Sequence, residues 1–351
     1  MTLYLAIVCA ILVTAFTGWL GIRIARRLKL IDMPGAAPHK KHAAPTPLAG
    51  GIILMLSLAI LLPAFGLLNT RQFLGTLLGA LVIFGFGLLD DLKIMRPLPK
   101  LAGQLIAGAL LILTGNFIRI FENPSFQWSG TGFAFQALDI ALTLFWVVGI
   151  TNAFNLIDSM DGLCVSVSGL SFGFFILGSL GSNQGTLALF SALLLGICLV
   201  ILALNTKPSH IFLGDSGAQT FGFLIASAAI LYNPLAKLQL SSWFLPILLA
   251  SVPIFDTTLV FFSRMRRGKP FYQSGCDHTY HRLVARGLDP NHAVLVMVMT
   301  ALFVDCLAFV ALELPALPAN LIFLGCLIAY GAAFFVLDSP RWTERLVSPQ
   351  T

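Results

Sequence analysis

The residues best suited to chemistry are five aspartates, which fall in three short strings of this 351-residue chain. The strings read GLLDDLK, NAFNLIDSMDGL and FLGDSG, and they hold Asp90, Asp91, Asp158, Asp161 and Asp215. Asp and Glu together number only 15, and each string adjoins a long apolar stretch. Carboxylates at the edge of a bilayer cost free energy unless another group binds them. A divalent cation and a phosphorylated ligand would account for all three strings at once.

The first string places two carboxylates side by side. Adjacent carboxylates repel each other, which raises the pKa of one of them unless a cation lies nearby. We therefore expect Asp90 and Asp91 to act as a base and as part of a metal or phosphate site, with a solvated pair at a helix end as the alternative. Lys93, Arg96 and Lys100 follow closely. These cations either hold phosphate oxygens or only mark the cytoplasmic side of the membrane.

The second string spaces Asn155, Asp158 and Asp161 three residues apart. On a helix this spacing would place the side chains on one face. Amides and carboxylates are poor core material, but they suit hydrogen bonding to a base and a ribose, or oxygen ligation of Mg²⁺. Capping of the next helix by either aspartate is the structural alternative.

The third string sets Asp215 in a glycine-flanked turn just before an apolar helix. Glycines let backbone amides approach an anion closely, and the helix N-terminus adds partial positive charge. Asp215 could simply cap this helix. Because two further acidic strings exist, we favour a magnesium ligand.

The last long polar segment reads GCDHTYHRLVARG. His278 and His281 lie three residues apart, with Arg282 beside them, so a helix would present all three to one ligand. Zinc normally takes three or four protein ligands, and no Cys or Glu here has partner spacing. We therefore expect this cluster to bind an anion such as phosphate.

Two other polar features lie outside the acidic strings. Lys41 and His42, in the basic segment PHKKHAAP, could neutralise phosphate or lipid headgroups. Gly50 and Gly51, which follow it, predict close helix packing. Asp256 stands inside an apolar stretch, where an unpaired acid is costly, so we expect a partner on a neighbouring helix.

The elements that must position these residues are membrane helices. The chain is 58% hydrophobic and 10% charged, with a mean hydropathy of +0.91, whereas a soluble domain carries about 25% charged residues. The apolar runs do not alternate as transmembrane barrel strands do. We predict an all-α polytopic bundle forming one domain over 1–351. Its apolar spans are 3–22, 48–68, 73–89, 101–120, 137–154, 162–181, 185–204, 217–235, 242–263, 292–311 and 319–337.

The distribution of positive charge predicts the orientation. Of the 21 Lys and Arg residues, all except Arg71, Arg119 and Lys237 fall in alternate connections. The positive-inside rule then places the N-terminus outside, the C-terminus inside and all three acidic strings on the cytoplasmic face. The net charge of +6 thus has a topological explanation and does not indicate nucleic-acid binding. The six cysteines form no CxxC pair, and we expect them to pack as small apolar residues.

In order and spacing, the motifs resemble those of the polyprenyl-phosphate N-acetylhexosamine-1-phosphate transferases, or glycosyltransferase family 4. The resemblance covers almost the whole chain. It rests on PTPLAGG at 45–51, GLLDDLK at 87–93, NAFNLIDSMDGL at 152–163, FLGDSGA at 212–218, VPIFDT at 252–257 and DHTYHRL at 277–283.

The resemblance implies an enzyme of the bacterial cytoplasmic membrane. It would transfer N-acetylhexosamine-1-phosphate from a UDP-sugar, most often UDP-GlcNAc, to undecaprenyl or another polyprenyl phosphate and release UMP. This is the first membrane step of cell-surface polysaccharide synthesis. The implied cofactor is Mg²⁺, with Mn²⁺ as an alternative. The implied partners are the two substrates and membrane lipids, and a homodimer stays open.

The resemblance also assigns roles to individual residues. Asp215 would be the principal metal ligand, with Asn155 as a weaker one, and Asp90 and Asp91 would position or deprotonate the lipid phosphate. The nucleotide-sugar pocket would hold Asn155, Asp158, Asp161, Asn205 and Phe212. Phosphate or sugar would be held by Lys41, His42, Lys100, His278, His281 and Arg282.

Two departures from the family pattern bear on the branch. Ser159 stands where many members have Gly, and Tyr280 stands where many have a further His. The histidine string, PTPLAGG and FLGDSGA favour the WecA/TagO-like branch over the alternative, the phospho-MurNAc-pentapeptide transferases of peptidoglycan synthesis. An ion-coupled transporter is the alternative from another class, but it would need acids along a path through the membrane. Because the lipid phosphate is already anionic, we favour direct attack over a covalent aspartyl intermediate.

Overall fold

The computed structural model describes residues 3–34, 44–93, 95–123, 129–233, 242–270 and 275–339. These residues form thirteen α-helices and one pair of two-residue strands. Contacts divide the chain into two compact units, Met1–Leu240 and Ser241–Thr351.

The first unit contains eight helices and the strand pair. The helices are α1 (Leu3–Arg27), α2 (Gly50–Ala64), α3 (Arg71–Leu92), α4 (Pro97–Leu113), α5 (Phe133–Ile157), α6 (Leu163–Leu180), α7 (Gly185–Asn205) and α8 (Gly214–Leu231). Strands β1 (Ile31–Asp32) and β2 (Thr46–Pro47) pair antiparallel between α1 and α2, with Ile31 opposite Pro47.

The second unit contains the remaining five helices. They are α9 (Leu245–Leu249), α10 (Ser251–Arg266), α11 (Thr279–Ala285), α12 (Pro290–Ala311) and α13 (Ala316–Leu337). Within this unit α12 packs against α9, α10, α11 and α13.

The predicted all-α membrane architecture is confirmed. Seven of the described helices, namely α1, α3, α5, α6, α7, α12 and α13, are long and apolar enough to cross a membrane, and α2 and α4 are shorter apolar helices. Large apolar side chains such as Leu317, Ile328 and Phe335 are exposed on α13. Such a surface is stable against lipid but costly in water. The chain is a multi-pass membrane protein.

The predicted span 242–263 is wrong as one continuous helix. It breaks at Ala250, which ends α9 and precedes α10. Pro253, the third residue of α10, has no N–H with which to continue the hydrogen-bond ladder back into α9. The span predicted over 48–68 also ends early, at Ala64, after which Gly66 adopts a left-handed conformation with φ of 71°.

Helix α8 is the core of the first unit. It is buried on every face from Ser216 to Ala229 and packs against α2, α3 and α5. Close approach requires glycine, because a Cβ on Gly222 would lie 2.9 Å from the carbonyl oxygen of Ile150 on α5. Small residues at such contacts let membrane helices pack backbone against backbone. Side chains at the start of α8 are therefore held rigidly.

Alternate helix ends of the first unit meet on one side. The backbone of Leu48, before α2, bridges to Phe212, before α8, and its amide also donates to Leu30 after α1. The side chain of Asn205 at the end of α7 accepts from the amide of Gly162 at the start of α6. These contacts confirm that the described parts of 23–47, 155–161 and 205–216 share one side of the unit. Its cytoplasmic assignment stays a prediction.

Candidate active site

The centre of the first unit's polar end is an ammonium between two carboxylates. Lys100, in the first turn of α4, lies 2.6 Å from the carboxylate of Asp215 on α8 and also contacts the carboxylate of Asp90 on α3. A second oxygen of Asp90 accepts a 2.5 Å hydrogen bond from the amide of Met95. Two of the three acidic strings thus meet at one cation. The predicted phosphate-binding role of Lys100 is untested, but its present partners are acids.

Asp91 faces the backbone of α8 rather than Lys100. Its two carboxylate oxygens accept from the amides of Asp215, at 2.7 Å, and Ser216, at 3.1 Å. The N-cap residue Leu213 makes no side-chain capping bond, so Asp91 satisfies these first-turn amides from another helix. Gly214 has φ of 69°, and a Cβ there would lie 2.6 Å from the Asp91 carboxylate. The adjacent acids Asp90 and Asp91 therefore have different partners.

The second string does not form the shared helical face that its spacing predicts. Helix α5 ends at Ile157, Asp158 follows as its C-cap, and Gly162 adopts φ of 76° before α6. Only Asn155 lies on the helix, half-buried in its last turn. A glycine in the left-handed conformation ends the helical path cheaply, and three-residue spacing cannot signal such a turn.

Asp158, in the turn after α5, interacts electrostatically with the acid cluster. Burial, followed by the negative charges of Asp215 and Asp161, raises the pKa of the Asp158 carboxyl well above its ordinary value. Acids of the second and third strings therefore interact electrostatically. Such a concentration of negative charge favours a bound cation.

Asp161, Asn205 and Phe212 hold the loops around this turn. Asp161 accepts a 2.6 Å hydrogen bond from the hydroxyl of Ser209. Asn205, which is buried, accepts from the amide of Gly162 and donates to the carbonyl of Ile211, both at 3.0 Å. The Asn205 amide is thus engaged with backbone on both sides. Half-buried Phe212 accepts from the amides of Ala49 and Gly50 through its backbone oxygen. The nucleotide-binding roles of these residues stay predictions.

The glycine pair of PTPLAGG packs against the start of α8, as the sequence predicts. A Cβ on Gly50 would lie 2.7 Å from the Cα of Leu213, and one on Gly51 would lie 2.8 Å from the amide nitrogen of Gly217. Any side chain there would push α2 away from α8. Lys41 and His42, in the same connection, lie outside the described residues.

The sequence placed Gln104 and Asn152 in family motifs but did not predict the amide cluster that they form beneath the acids. Gln104 on α4 and Asn152 on α5 form two reciprocal amide hydrogen bonds, at 2.8 and 3.1 Å. Gln104 also donates to Gln219 on α8, at 3.3 Å. Gln104 and Gln219 each follow a charged residue, Lys100 or Asp215, by four positions. This matched four-residue spacing is the feature of the sequence that could have predicted the amide cluster.

In the second unit, the predicted partner of Asp256 is His278. Asp256 is buried, and its carboxylate oxygens contact His278 Nδ1 at 2.7 Å and the backbone amide of Thr279 at 2.5 Å. His278 precedes α11 rather than lying on it, and its ring centroid is 5.9 Å from that of His281. The two histidines are neighbours even though only His281 lies on the helix.

Arg282 is fully buried and has protein partners. Its guanidinium donates to the carbonyls of Asp277 and Leu337 and to the carboxylate of Asp338. These contacts connect α11 to the end of α13. Because the Arg282 side chain is fully buried, the structure does not support the phosphate-binding role predicted for it. Asp277 is bound by Arg264, at 2.6 and 3.0 Å, and by Arg267.

The carboxylates of the first unit fit Mg²⁺ in chemical type and number. Mg²⁺ prefers oxygen ligands and commonly takes only one or two protein carboxylates, with water and substrate phosphate completing its shell. Asp90 and Asp215 converge on one cation, whereas both oxygens of Asp91 are occupied by amides. Among the described residues, no group of three or more Asp, Glu, His or Cys is arranged to hold a metal. Water and substrate phosphate oxygens would complete the shell of an ion held by Asp90 and Asp215.

A family model and individual relatives both match this chain. A family model described as glycosyl transferase family 4 matches residues 73–233, the stretch that carries the acid cluster. The chain is 30% identical over 275 residues to a probable undecaprenyl-phosphate N-acetylglucosaminyl 1-phosphate transferase of Bacillus subtilis, covering 78% of this chain and 75% of that protein.

Two further relatives extend the comparison. The chain is 30% identical over 327 residues to a decaprenyl-phosphate N-acetylglucosaminephosphotransferase of Mycolicibacterium smegmatis, covering 86% of this chain and 79% of that protein. It is 28% identical over 300 residues to a phospho-N-acetylmuramoyl-pentapeptide-transferase of Halalkalibacterium halodurans, covering 80% and 89%. Both kinds of relative act on phosphorylated amino sugars by name.

Proposed function

The chain belongs to glycosyl transferase family 4, and we propose that it transfers N-acetylglucosamine-1-phosphate from UDP-GlcNAc to a polyprenyl phosphate such as undecaprenyl phosphate. The products are UMP and a polyprenyl diphosphate that carries the sugar. The enzyme would work in the bacterial inner membrane and supply the lipid-linked sugar on which a surface polysaccharide begins. The observation that carries this proposal is the convergence of Asp90, Lys100 and Asp215.

The reaction suits a site built from few, well-placed charges. An oxygen of the lipid phosphate forms a bond to the phosphorus that bears the sugar, and the bond from that phosphorus to the UMP oxygen breaks. The nucleophile is anionic at neutral pH, so positioning contributes more than deprotonation. Asp90, close to Lys100, is placed to orient the incoming phosphate or accept its residual proton. No covalent intermediate is needed.

Magnesium completes the proposal because it would offset the charge of the diphosphate and of the acids. Asp215 would be its main protein ligand, with Asp90 or Asn155 as further oxygen donors and Mn²⁺ as a substitute metal. When bound, the ion supplies electrophilic stabilisation of the leaving phosphate oxygens. Lys100, released from one carboxylate, would then contact a phosphate oxygen as a point charge.

The names of the relatives support UDP-GlcNAc as the proposed sugar donor. The B. subtilis and M. smegmatis proteins are N-acetylglucosamine phosphate transferases by name and align at 30% identity, and pentapeptide transferases align at 28% to 32%. Percent identity therefore does not separate the two sugars, and the histidine string with PTPLAGG and FLGDSGA favours UDP-GlcNAc, with UDP-MurNAc-pentapeptide as the second candidate. Asp158 and Asp161 are proposed to contact the nucleotide, and His278 and His281 the phosphate or sugar.

An exchange assay tests the proposal. Purified protein is incubated with labelled UMP, undecaprenyl phosphate, Mg²⁺ and a panel of UDP-sugars, and label entering each UDP-sugar is measured. We expect lipid-dependent and Mg²⁺-dependent exchange with UDP-GlcNAc. Exchange only with UDP-MurNAc-pentapeptide would instead assign the protein to the phospho-MurNAc-pentapeptide transferases. Absence of exchange with every UDP-sugar, together with ion flux in liposomes, would overturn the proposed class.

A further inference from the structure

We propose that Gln104, Asn152 and Gln219 form a positioning layer that sets how Lys100 and Asp215 face each other. The proposal rests on the proposed function, because it assigns these residues to the same reaction. None of the three is expected to touch substrate. Their effect passes through the helices that carry the charged pair.

The hydrogen bonds define the layer. Gln104 Oε1 accepts from Asn152 Nδ2 at 2.8 Å, and Gln104 Nε2 donates to Asn152 Oδ1 at 3.1 Å and to Gln219 Oε1 at 3.3 Å. Asn152 also donates to the carbonyl of Val148 on its own helix, at 2.8 Å. Gln104 thus connects α4 to both α5 and α8 through one side chain. A reciprocal amide pair of this kind tolerates little sliding of one helix along the other.

The layer lies one helical turn from the charged pair on two helices at once. Lys100 and Gln104 are four residues apart on α4, and Asp215 and Gln219 are four residues apart on α8. Residues four apart lie on the same helix face, separated by about 6 Å along the axis. The same two helix faces therefore carry a salt bridge at one level and an amide contact at the next. A shift of either helix would alter both levels together.

The presence of amides at these positions indicates that they fix the register of the helices rather than add to the stability of the protein. Gln104 is 1% exposed and Gln219 is 2% exposed, so both amides are removed from water. Burying an amide costs free energy unless it is hydrogen-bonded, and Gln219 Nε2 has no partner among the described residues. Apolar side chains would fill this space without that cost. Buried polar groups that reduce stability are known to fix helix register, which is the role assigned here.

The test uses Gln104→Leu and Gln219→Leu, with Thr17→Val as the matched control. Thr17 on α1 and Ser57 on α2 form an equally buried inter-helix hydrogen bond of 2.7 Å that plays no part in the site. We expect kcat of each Gln variant to fall between about tenfold and 100-fold with KM for UDP-GlcNAc unchanged. The Thr17→Val variant should keep wild-type kcat. In a Lys100→Ala background, Gln104→Leu should add little further loss, because the pairing is already gone.

A second readout does not require turnover. The rate at which an amine-acylating reagent modifies Lys100 is followed by mass spectrometry, and it should rise in Gln104→Leu because the ammonium is no longer held against Asp215. Wild-type kcat and wild-type labelling in both Gln variants would overturn the proposed positioning role. A loss of kcat in Thr17→Val equal to that in the Gln variants would overturn it as well. If the wild-type protein itself shows no transfer, the proposed function fails. The labelling rate of Lys100 still tests whether the layer positions this residue. If Gln104→Leu does not fold, Gln219→Leu supplies the same two measurements.

Discussion

The ammonium of Lys100 lies 2.6 Å from the carboxylate of Asp215, although 115 positions separate the two residues in the sequence. The same ammonium contacts Asp90, so the start of α4 neutralises acids contributed by α3 and α8. Each side chain keeps some exposure, 26% for Lys100 and 29% for Asp215. A pair that is held but still reachable can exchange partners when a charged substrate arrives.

The Lys100 pairing predicts a steep loss of transfer in Lys100→Ala. Removal of the ammonium leaves Asp90 and Asp215 facing each other without a cation and removes the proposed phosphate contact. We expect kcat to fall by roughly 100-fold to 1000-fold, the range seen when one preorganised charge-stabilising group is removed. Exchange kinetics measure this loss. Lys100→Arg keeps the charge and should recover part of the rate, so equal activity of Ala and Arg variants would contradict the charge role.

Asp215→Asn is predicted to change the response to Mg²⁺ as well as the rate. Because an amide is a weaker metal ligand than a carboxylate, more Mg²⁺ should be needed for half-maximal exchange. The measurement is exchange rate against Mg²⁺ concentration, with Asp161→Asn as a comparison from the neighbouring loop. An unchanged Mg²⁺ requirement at wild-type rate in Asp215→Asn would remove Asp215 from the metal site.

Asp139 is predicted to stabilise the connection between α4 and α5 without affecting transfer directly. It is fully buried, and its carboxylate accepts from the backbone amides of Ile120, Phe121 and Glu122. Asp139→Ala leaves these donors unpaired, which should lower the free energy of unfolding by ~2 kcal/mol or more. Thermal unfolding in detergent measures the change. The control Glu122→Ala keeps its backbone donor and should unfold close to the wild-type temperature.

The contribution of Asp277 to the stability of the second unit should not change with pH near neutrality. Burial alone would raise the pKa of Asp277, but hydrogen bonds and charge from Arg264, with further charge from His278 and Arg267, lower it to about 2. A carboxyl whose pKa is lowered by folding stabilises the protein above its unfolded-state pKa, and this contribution is lost as pH falls through the folded-state pKa.

The corresponding measurement is the unfolding of Asp277→Asn across pH. A drop in pKa from 3.8 to about 2 corresponds to about 2 kcal/mol of stabilisation at neutral pH. The variant should therefore be less stable than wild type from pH 8 to about pH 5, with the difference shrinking only below about pH 4. A difference that varied between pH 6 and 8 would contradict the lowered pKa of Asp277.

Much of the site could be predicted from residue types. Acids are rare in this chain, and Asp90 and Asp215 stand out in apolar surroundings because burial of an unpaired carboxylate is costly. A partner for Asp256 was expected for the same reason, and the structure supplies His278, which lies just before α11 rather than on a helix. The helical face predicted for Asp158 and Asp161 was wrong, since three-residue spacing fits a turn as well as a helix.

Other features could not be predicted because they depend on which helices are neighbours. Asp90 and Asp91 are adjacent in sequence, yet one pairs with Lys100 and the other caps α8 from α3. Arg282 resembles a phosphate ligand in sequence but is fully buried against Asp338. Sequence spacing carries no information about contacts of this range.

The sequence by itself determined the membrane architecture, the order of the motifs and the identity of the acids, because hydropathy and carboxylate burial are local costs that each stretch of chain must meet. The tertiary structure alone decided the partners: Lys100 for Asp215, the α8 amides for Asp91, and Gln104 for Gln219. Those choices depend on helix packing, in which glycines such as Gly222 let backbones approach to within contact. Packing of distant segments is a collective property, so it emerges only once the helices are assembled.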